Sequence, residues 1–262
     1  MISIVMPCYQ QAAFLEAAVR SVLDQRGVEV ELLVMDPGSE DGSRELLLEL
    51  HKEYGGRLVL CFAKDQGQSD AVNCGMARAR GQVLGWLNSD DVLRPGALAK
   101  VAPFLAREEP AWLYGRAGMI DAVGARSMNL VAWYKNWQSR RFSRLKLLSE
   151  NFVPQQATFW NRSMWDKAGT LDVNRHLDMD YDLWLRFAGV SNPTVLADEL
   201  ADMRIHAAAK GSVQIREQLA DAQATARAYA GEYGVRGRMM LLLHRLLSLR
   251  TLVYYLVMKP RK

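Results

Sequence analysis

The stretch Gln82-Val83-Leu84-Gly85-Trp86-Leu87-Asn88-Ser89-Asp90-Asp91 decides the reading of the fold: an apolar run of strand length stops at a polar, acidic tetrapeptide. A short apolar run bounded by turn-forming residues is the pattern of a strand buried on both faces of a sheet. Working outward, similar runs lie at residues 2–6, stopped by Pro7, at 31–35, followed by the turn Asp36-Pro37-Gly38-Ser39, and at 57–62. Helix-period segments separate them, one ending near Asp24 and others at 43–54 and 69–79, and Pro95 suits the first turn of a further helix. This alternation predicts βαβ units, an α/β fold with a mostly parallel sheet, and helices on both of its faces. Such sheets bind ligands at the carboxyl ends of their strands, where the polar clusters around Tyr9, Asp36 and Asn88 to Asp91 fall.

Composition narrows the function. Half of the 262 residues are apolar and 24% are charged, which excludes a disordered or fibrous chain. Cys8, Cys61 and Cys74 are an odd, scattered set, so neither a disulfide framework nor a zinc site is indicated and a reducing compartment fits. The opening Met1-Ile2-Ser3-Ile4-Val5-Met6-Pro7 has no basic region and no long apolar core, so no secretory signal is expected. The net charge of +4 is uneven. Residues 236–262 hold Arg236, Arg238, Arg245, Arg250, Lys259, Arg261 and Lys262 and no acid, while the rest carries 26 basic against 29 acidic side chains. A nucleic-acid surface would spread positive charge over the body, so that partner is excluded.

The first strand is followed by Pro7-Cys8-Tyr9-Gln10 and not by G-x-G-x-x-G, and no Walker A sequence occurs. Asp90-Asp91 carries more information. Adjacent carboxylates repel and are best tolerated beside a cation or in open water. Mg²⁺ and Mn²⁺ prefer carboxylates and share their coordination with substrate phosphates. The alternative is a helix N-cap followed by a solvated turn.

Four blocks together resemble the nucleotide-sugar half of family 2 glycosyltransferases: Ile4-Val5-Met6-Pro7-x-Tyr9; Val34-Met35-Asp36-Pro37-Gly38-Ser39-x-Asp41-Gly42-Ser43; Asp65-Gln66-Gly67-Gln68-Ser69-Asp70-Ala71-Val72-Asn73-x-Gly75; and Gly85-Trp86-Leu87-Asn88-Ser89-Asp90-Asp91. Pro154-Gln155-Gln156-Ala157-Thr158-Phe159-Trp160, Asp180-Tyr181-Asp182-Leu183-Trp184-Leu185-Arg186 and Arg204-Ile205-His206 resemble the acceptor half, so the likeness runs from residue 2 to about 206. It implies a GT-A fold: a Rossmann-like, mostly parallel sheet with a smaller mixed acceptor subdomain. The division expected is a catalytic domain at 1–232, with a nucleotide-sugar half at 1–100 and an acceptor half at 101–232, then a basic amphipathic helix at 233–262.

The resemblance also implies inversion at the anomeric carbon, with a carboxylate taking the acceptor's proton and Mn²⁺ or Mg²⁺ stabilising the departing diphosphate. Carried over by position, Pro7 and Tyr9 line the base pocket and Asp36 binds the uracil-type edge or the ribose. Gly67 permits close backbone approach, and Asp70 sits near ribose or sugar. Asn88-Ser89-Asp90 takes the D-x-D position, with Asp90 and Asp91 as metal ligands and His206 as a further metal or diphosphate ligand. Asp180 is the base, with Asp178 as runner-up. Three departures stand out: Gln10 where Asn is common, Pro37 for the second Asp of its turn, and Asn88 for the first Asp of D-x-D. Structural readings stay open beside these. Asp41 suits a helix cap, Asp70 a first-turn acid, and His206 an edge-strand histidine. One or two of Asp178, Asp180 and Asp182 cap the helix that follows.

Residues 114–150 hold Trp133, Tyr134, Trp137, Arg140, Arg141, Arg144 and Lys146, a mixture suited to a sugar or lipid-pyrophosphate acceptor and equally to amphipathic packing. In 238–258, Arg238, His244, Arg245, Ser248 and Thr251, with Lys259 beyond, fall on one helical face. Met239, Leu242, Leu243, Leu246, Leu249, Val253, Leu256 and Val257 cover the rest. With Tyr254-Tyr255 near its end this reads as an anchor on an anionic membrane surface, the alternative being a helix docked on its own body or on a second copy in a homodimer. The expected function is transfer of a sugar from a nucleoside-diphosphate donor, UDP for preference, to a glycolipid, oligosaccharide or polysaccharide acceptor of the bacterial envelope. Its expected place is cytoplasmic, peripheral on the inner face of the cell membrane. The alternatives are a polyprenyl-phosphate glycosyltransferase and a catalytically silent nucleotide-sugar-binding scaffold.

Overall fold

The computed structural model describes residues 1–127, 130–206 and 214–258. The apolar runs become β1 (Ile2–Pro7), β2 (Val30–Met35), β3 (Leu58–Cys61) and β4 (Val83–Trp86), alternating with α1 (Ala12–Leu23), α2 (Ser43–Tyr54) and α3 (Gln68–Arg78). Strands β1, β2, β3 and β4 pair in parallel, with β1 central and Ile2 to Pro7 matched to Val30 to Met35. Every residue of β2 and β4 is buried, as continuous apolar runs require when helices cover both faces. Helix α4 (Ala97–Leu105) begins later than the sequence suggests: the Ala97 amide closes a turn onto the Arg94 carbonyl, which leaves Pro95 in that turn.

Beyond β4 the sheet becomes mixed. The two-residue β5 (Val92–Leu93), then β6 (Trp112–Ile120), β7 (Thr158–Asn161) and β8 (Thr194–Arg204), complete an eight-stranded order β3-β2-β1-β4-β7-β6-β8-β5. β7 runs antiparallel to β4 and β6, and β5 antiparallel to β8. The mixed strands therefore continue the parallel sheet and do not form a second one. One face is covered by α1, α2 and α4 through Leu15, Val19, Leu47 and Leu98. The other is covered by α3, α7 (Arg162–Ala168) and α8 (Met179–Val190). There Trp112 stacks on Trp184 at 5.9 Å between centroids and 6° between planes, with Trp160 and Phe187 edge-on to Trp184. Burial of rings this large, in offset or edge contact, fixes α8 against the sheet. Helices α5 (Leu130–Ser139) and α6 (Arg144–Leu147) lie between β6 and β7 in sequence.

Helices α9 (Ile215–Ala230) and α10 (Gly234–Met258) follow β8. The face of α10 that its sequence marks as polar is divided between the body and solvent. His244 is buried and bonds through Nδ1 to the Leu148 carbonyl at 3.0 Å, with Ser248 and Thr251 half-buried on the same side. Met240 and Leu241 pack with them against the body. The helix is thus pinned by a polar contact, and Met239, Leu242, Leu246 and Leu249 point to solvent with Arg238 and Arg245. Lys259, Arg261 and Lys262, and the side chains of Tyr255, Leu256 and Val257, lie outside the described residues.

Two tests follow from the packing. A Cβ on Gly75 would lie 2.4 Å from Val5 Cγ1, because α3 rests directly on β1 at that point. Gly75→Ala is expected to cost about 1–3 kcal/mol, the usual range for overpacking, read as a fall in the thermal midpoint. Burial lowers the His244 pKa from 6.5 against the opposing effects of the Leu148 carbonyl and the Glu150 charge. Its contribution to stability is complete above the unfolded value and is lost as pH falls below it, since the unfolded imidazole takes up a proton the folded one resists. Thermal stability should therefore drop below about pH 6.5, and His244→Gln should flatten that drop.

Candidate active site

The turn after β4 is tied to the end of β8. Asp91 is buried, and its Oδ1 accepts the backbone N–H of Arg204 at 2.9 Å. The Arg204 guanidinium donates through Nε to the Asp90 carbonyl at 2.8 Å and lies over the Phe14 ring. This clamp sets the Asp90 carboxylate beside His206, with Oδ2 and Nε2 3.0 Å apart and the imidazole against Phe14. Burial, and then the Asp90 charge, push the Asp91 carboxyl well above the usual carboxylate range. Of the three expected metal ligands the structure thus pairs Asp90 with His206, whereas Asp91 faces the β8 backbone. One oxygen of its carboxylate serves as a backbone anchor, a role that the adjacency of Asp90 and Asp91 in sequence does not signal.

Among the described residues no cluster of three His, Cys, Asp or Glu could hold a metal ion. A divalent cation at Asp90 and His206 would leave most of its coordination to diphosphate oxygens and water, as hard cations bound with phosphates commonly do. The carboxylate and imidazole present fit such an ion.

The remaining donor-side residues stand at the strand ends. Pro7 closes β1, and Tyr9 beyond it is 61% exposed. Gln10 has φ of +56°, a left-handed conformation that Asn tolerates better than Gln, which gives the departure at this position its physical meaning. Asp36 follows β2 and is fully buried; its Oδ1 accepts from the Gly38 and Ser39 amides and from Arg44. Burial opposes ionisation of Asp36, yet the Ser39, Gly38 and Arg44 hydrogen bonds outweigh it and hold the carboxyl below its ordinary range. Asp36 Oδ2 is buried with no hydrogen-bond partner among the described residues, a spare acceptor for a base N–H or a ribose hydroxyl. Gly67 caps α3 at φ +116°, a conformation open to glycine. Asp70 accepts the Gln66 amide at 3.0 Å, so the first-turn reading describes its observed bond.

Asn88 joins three sequence blocks. Its Oδ1 accepts from Gln68 and from the Trp86 indole at 2.8 and 2.9 Å, and its Nδ2 donates to Gln155. Gln155 in turn donates to the Trp86 carbonyl. The amide needed to accept and donate at once explains why Asn, not Asp, sits here. Ser69 and Asn73 of α3 bind the loop ahead of α8. Ser69 Oγ donates to the Arg175 carbonyl, and Asn73 exchanges two hydrogen bonds with the Leu171 backbone.

That loop leads to three alternating acids whose environments differ. Asp178 is buried and accepts from Arg175 and from the Thr225 hydroxyl of α9. Asp182 accepts from Arg186 at 2.9 Å and from the Tyr229 hydroxyl at 2.8 Å. Asp180 instead accepts one hydrogen bond from the Tyr181 amide and one from Asn151 Nδ2 at 3.1 Å. Burial raises its pKa, against those two bonds and the charge of Lys135. A carboxylate free of a bonded cation and raised in pKa is suited to proton transfer, whereas Asp178 and Asp182 are committed to holding α9. Asn151, which bonds Asp180, and Phe14, which packs on Arg204 and His206, lie outside every sequence block, and nothing in the sequence signals them.

A mixed α/β sheet with these strand-end residues defines a GT-A fold, and solved structures agree. A mannosyltransferase from Pyrobaculum calidifontis, in complex with GDP-Man and Mn²⁺, superposes with a TM-score of 0.65 at 15% identity, covering 98% of this chain and 84% of that one. Residues 1–349 of S. aureus TarS, in complex with UDP-GlcNAc, give 0.63 at 15% identity, covering 87% and 66%. Residues 3–167 match the model of glycosyl transferase family 2, and the chain belongs to that family. A PGL/p-HBAD biosynthesis glycosyltransferase of Mycobacterium bovis is 31% identical over 198 residues, 75% of this chain and 72% of that protein. An uncharacterized glycosyltransferase of Rickettsia prowazekii is 26% identical over 214 residues, and this chain spans 65% of its length. For an uncharacterized glycosyltransferase of Nostoc that share is 37%.

Asp90 and Asp91 are separable by experiment. Asp90→Ala should weaken Mn²⁺-dependent binding of UDP, measured by calorimetry, with little change in thermal midpoint. Asp91→Ala should lower the midpoint by an amount equivalent to about 1–3 kcal/mol, because it strands the buried Arg204 N–H.

Proposed function

We propose that the chain is an inverting, metal-dependent glycosyltransferase that moves a sugar from a nucleoside-diphosphate donor, UDP for preference, to an acceptor hydroxyl. The observation that carries this reading is the difference among the three α8 acids: Asp180 alone is not bonded to a cation, and its pKa is raised. In this mechanism Asp180 accepts the proton of the attacking hydroxyl. The oxygen bonds to the anomeric carbon from one face while the bond to the diphosphate oxygen breaks on the other, and its electron pair leaves with the diphosphate. Asp90 and His206 would hold a divalent cation, whose positive charge would offset the charge on that leaving group. Asn151 orients the Asp180 carboxylate through its 3.1 Å bond. Asp36 Oδ2 is the acceptor available to the base or ribose, with Pro7, Tyr9, Gly67 and Asp70 around the donor.

The acceptor class belongs to the same proposal: a glycolipid or polysaccharide of the bacterial envelope, met on the inner face of the cell membrane. Support comes from the basic, outward-facing side of α10 and from the kinship with the mycobacterial PGL/p-HBAD glycosyltransferase.

Asp180→Asn is the direct test. Asparagine keeps the shape and the hydrogen bonding but cannot take a proton at neutral pH, so transfer should fall by about 10²–10⁴-fold while donor binding is retained. Wild-type kcat/KM should fall on the acid side with a midpoint above the ordinary aspartate value of 3.8, since the raised group must be ionised to act. Asp178→Asn should chiefly lower stability. A wild-type rate in Asp180→Asn would remove Asp180 as the base.

A further inference from the structure

The outward face of α10 carries Val235, Met239, Leu242, Leu246, Leu249 and Val253, spaced alternately four and three residues apart, each between 51 and 71% exposed. This is a continuous apolar seam along about five turns, with nothing from the described body against it. Its edges hold Arg236, Arg238, Arg245 and Arg250, and no acid lies on the helix. A second copy pairing along the seam would set arginine against arginine at both edges, which opposes a coiled-coil dimer. An anionic lipid surface satisfies both the seam and its rim.

The seam does not end with α10. The Arg250 guanidinium lies 4.4 Å from the centre of the Tyr134 ring on α5, and Arg250 and Tyr134 share the Glu150 carboxylate. Tyr134 contacts the Trp137 ring, and Trp137 and Trp133, one turn apart on α5, are 52 and 64% exposed. Exposed tryptophan beside a basic apolar helix is the composition of a membrane–water boundary. Glu150 is followed directly by Asn151, which bonds Asp180. Among the described residues no helix is long and apolar enough to cross a membrane.

We infer that α5 and the outward face of α10 together form one surface that docks on an anionic bilayer, with Trp133 and Trp137 entering its boundary beside the base. The inference rests on the membrane placement proposed above and adds the second helix and its tryptophans, which the sequence assigns equally to an acceptor sugar or to packing.

The other five tryptophans are buried, so quenching by lipid reports on Trp133 and Trp137. The full chain is mixed with phosphatidylcholine vesicles containing phosphatidylglycerol, with bromine on the acyl chains, and fluorescence and co-sedimentation are read together. Expected are quenching of wild-type emission, its loss in Trp133→Phe/Trp137→Phe with vesicle binding retained, and at least tenfold weaker binding by Leu242→Ser/Leu246→Ser or by vesicles of phosphatidylcholine alone. Anionic vesicle binding without quenching overturns the two-helix surface and leaves the membrane placement standing. No vesicle binding overturns both. A wild-type dimer that the two Leu→Ser changes convert to monomer replaces the lipid with a second copy. Mn²⁺-dependent UDP binding, measured on the same preparations, tests the donor reading apart from any of these outcomes.

Discussion

The bond from the Arg204 amide to the buried Asp91 carboxylate is the constraint on which the site depends. It joins the end of β4, at the middle of the sheet, to the end of β8, which reaches the same place after a long excursion through the mixed strands. Two groups far apart in sequence, Asp90 and His206, are brought to 3.0 Å as a consequence. Arg204 adds a second tie through its guanidinium, so the turn carrying Asp90 is held by backbone and side chain together. Side chains so fixed lose little freedom on binding a ligand, which favours a preorganised site over one assembled by the substrate.

A similar economy holds on the acceptor side. The aromatic stack under α8 sets the height of the helix, and α3 fixes its approach loop through Ser69 and Asn73. Asp178 and Asp182 then bind α9 through the Thr225 and Tyr229 hydroxyls and pair with Arg175 and Arg186, which satisfies their oxygens and neutralises their charge. Asp180 is left between them with two uncharged donors, the Tyr181 amide and Asn151. Its raised pKa comes from burial first, and the absence of a bonded guanidinium preserves it. Residues in the matched blocks therefore divide into those that meet substrates in the proposed mechanism and those, such as Asn73 and Asp182, that hold the former in place.

The terminal helix shows how one polar contact can orient an amphipathic helix. Its sequence leaves open whether the apolar positions meet a membrane or the body, and His244 bonded to Leu148 turns the opposite side inward. Leucines left in water in that number are costly unless a partner covers them, and the arginine edges select what kind of partner is compatible. The contact between Arg250 and Tyr134 extends that demand to α5.

The parallel half of the fold was legible in the sequence because its signals are local. Buried strands read as short apolar runs, α2 falls at the residues its periodicity marks, and strand-end polar clusters locate the cleft. The family was legible for the same reason, as each block is a contiguous set of side chains around one turn. Tertiary structure alone decided the rest. Whether Asp91 binds a metal or a backbone amide depends on β8, more than a hundred residues away. Which of Asp178, Asp180 and Asp182 meets a hydroxyl of α9 depends on where that helix lies, and which side of α10 faces out depends on the Leu148 carbonyl. In each case the residue types are the same under either outcome, and the choice is made by a hydrogen-bond partner whose proximity no local pattern encodes.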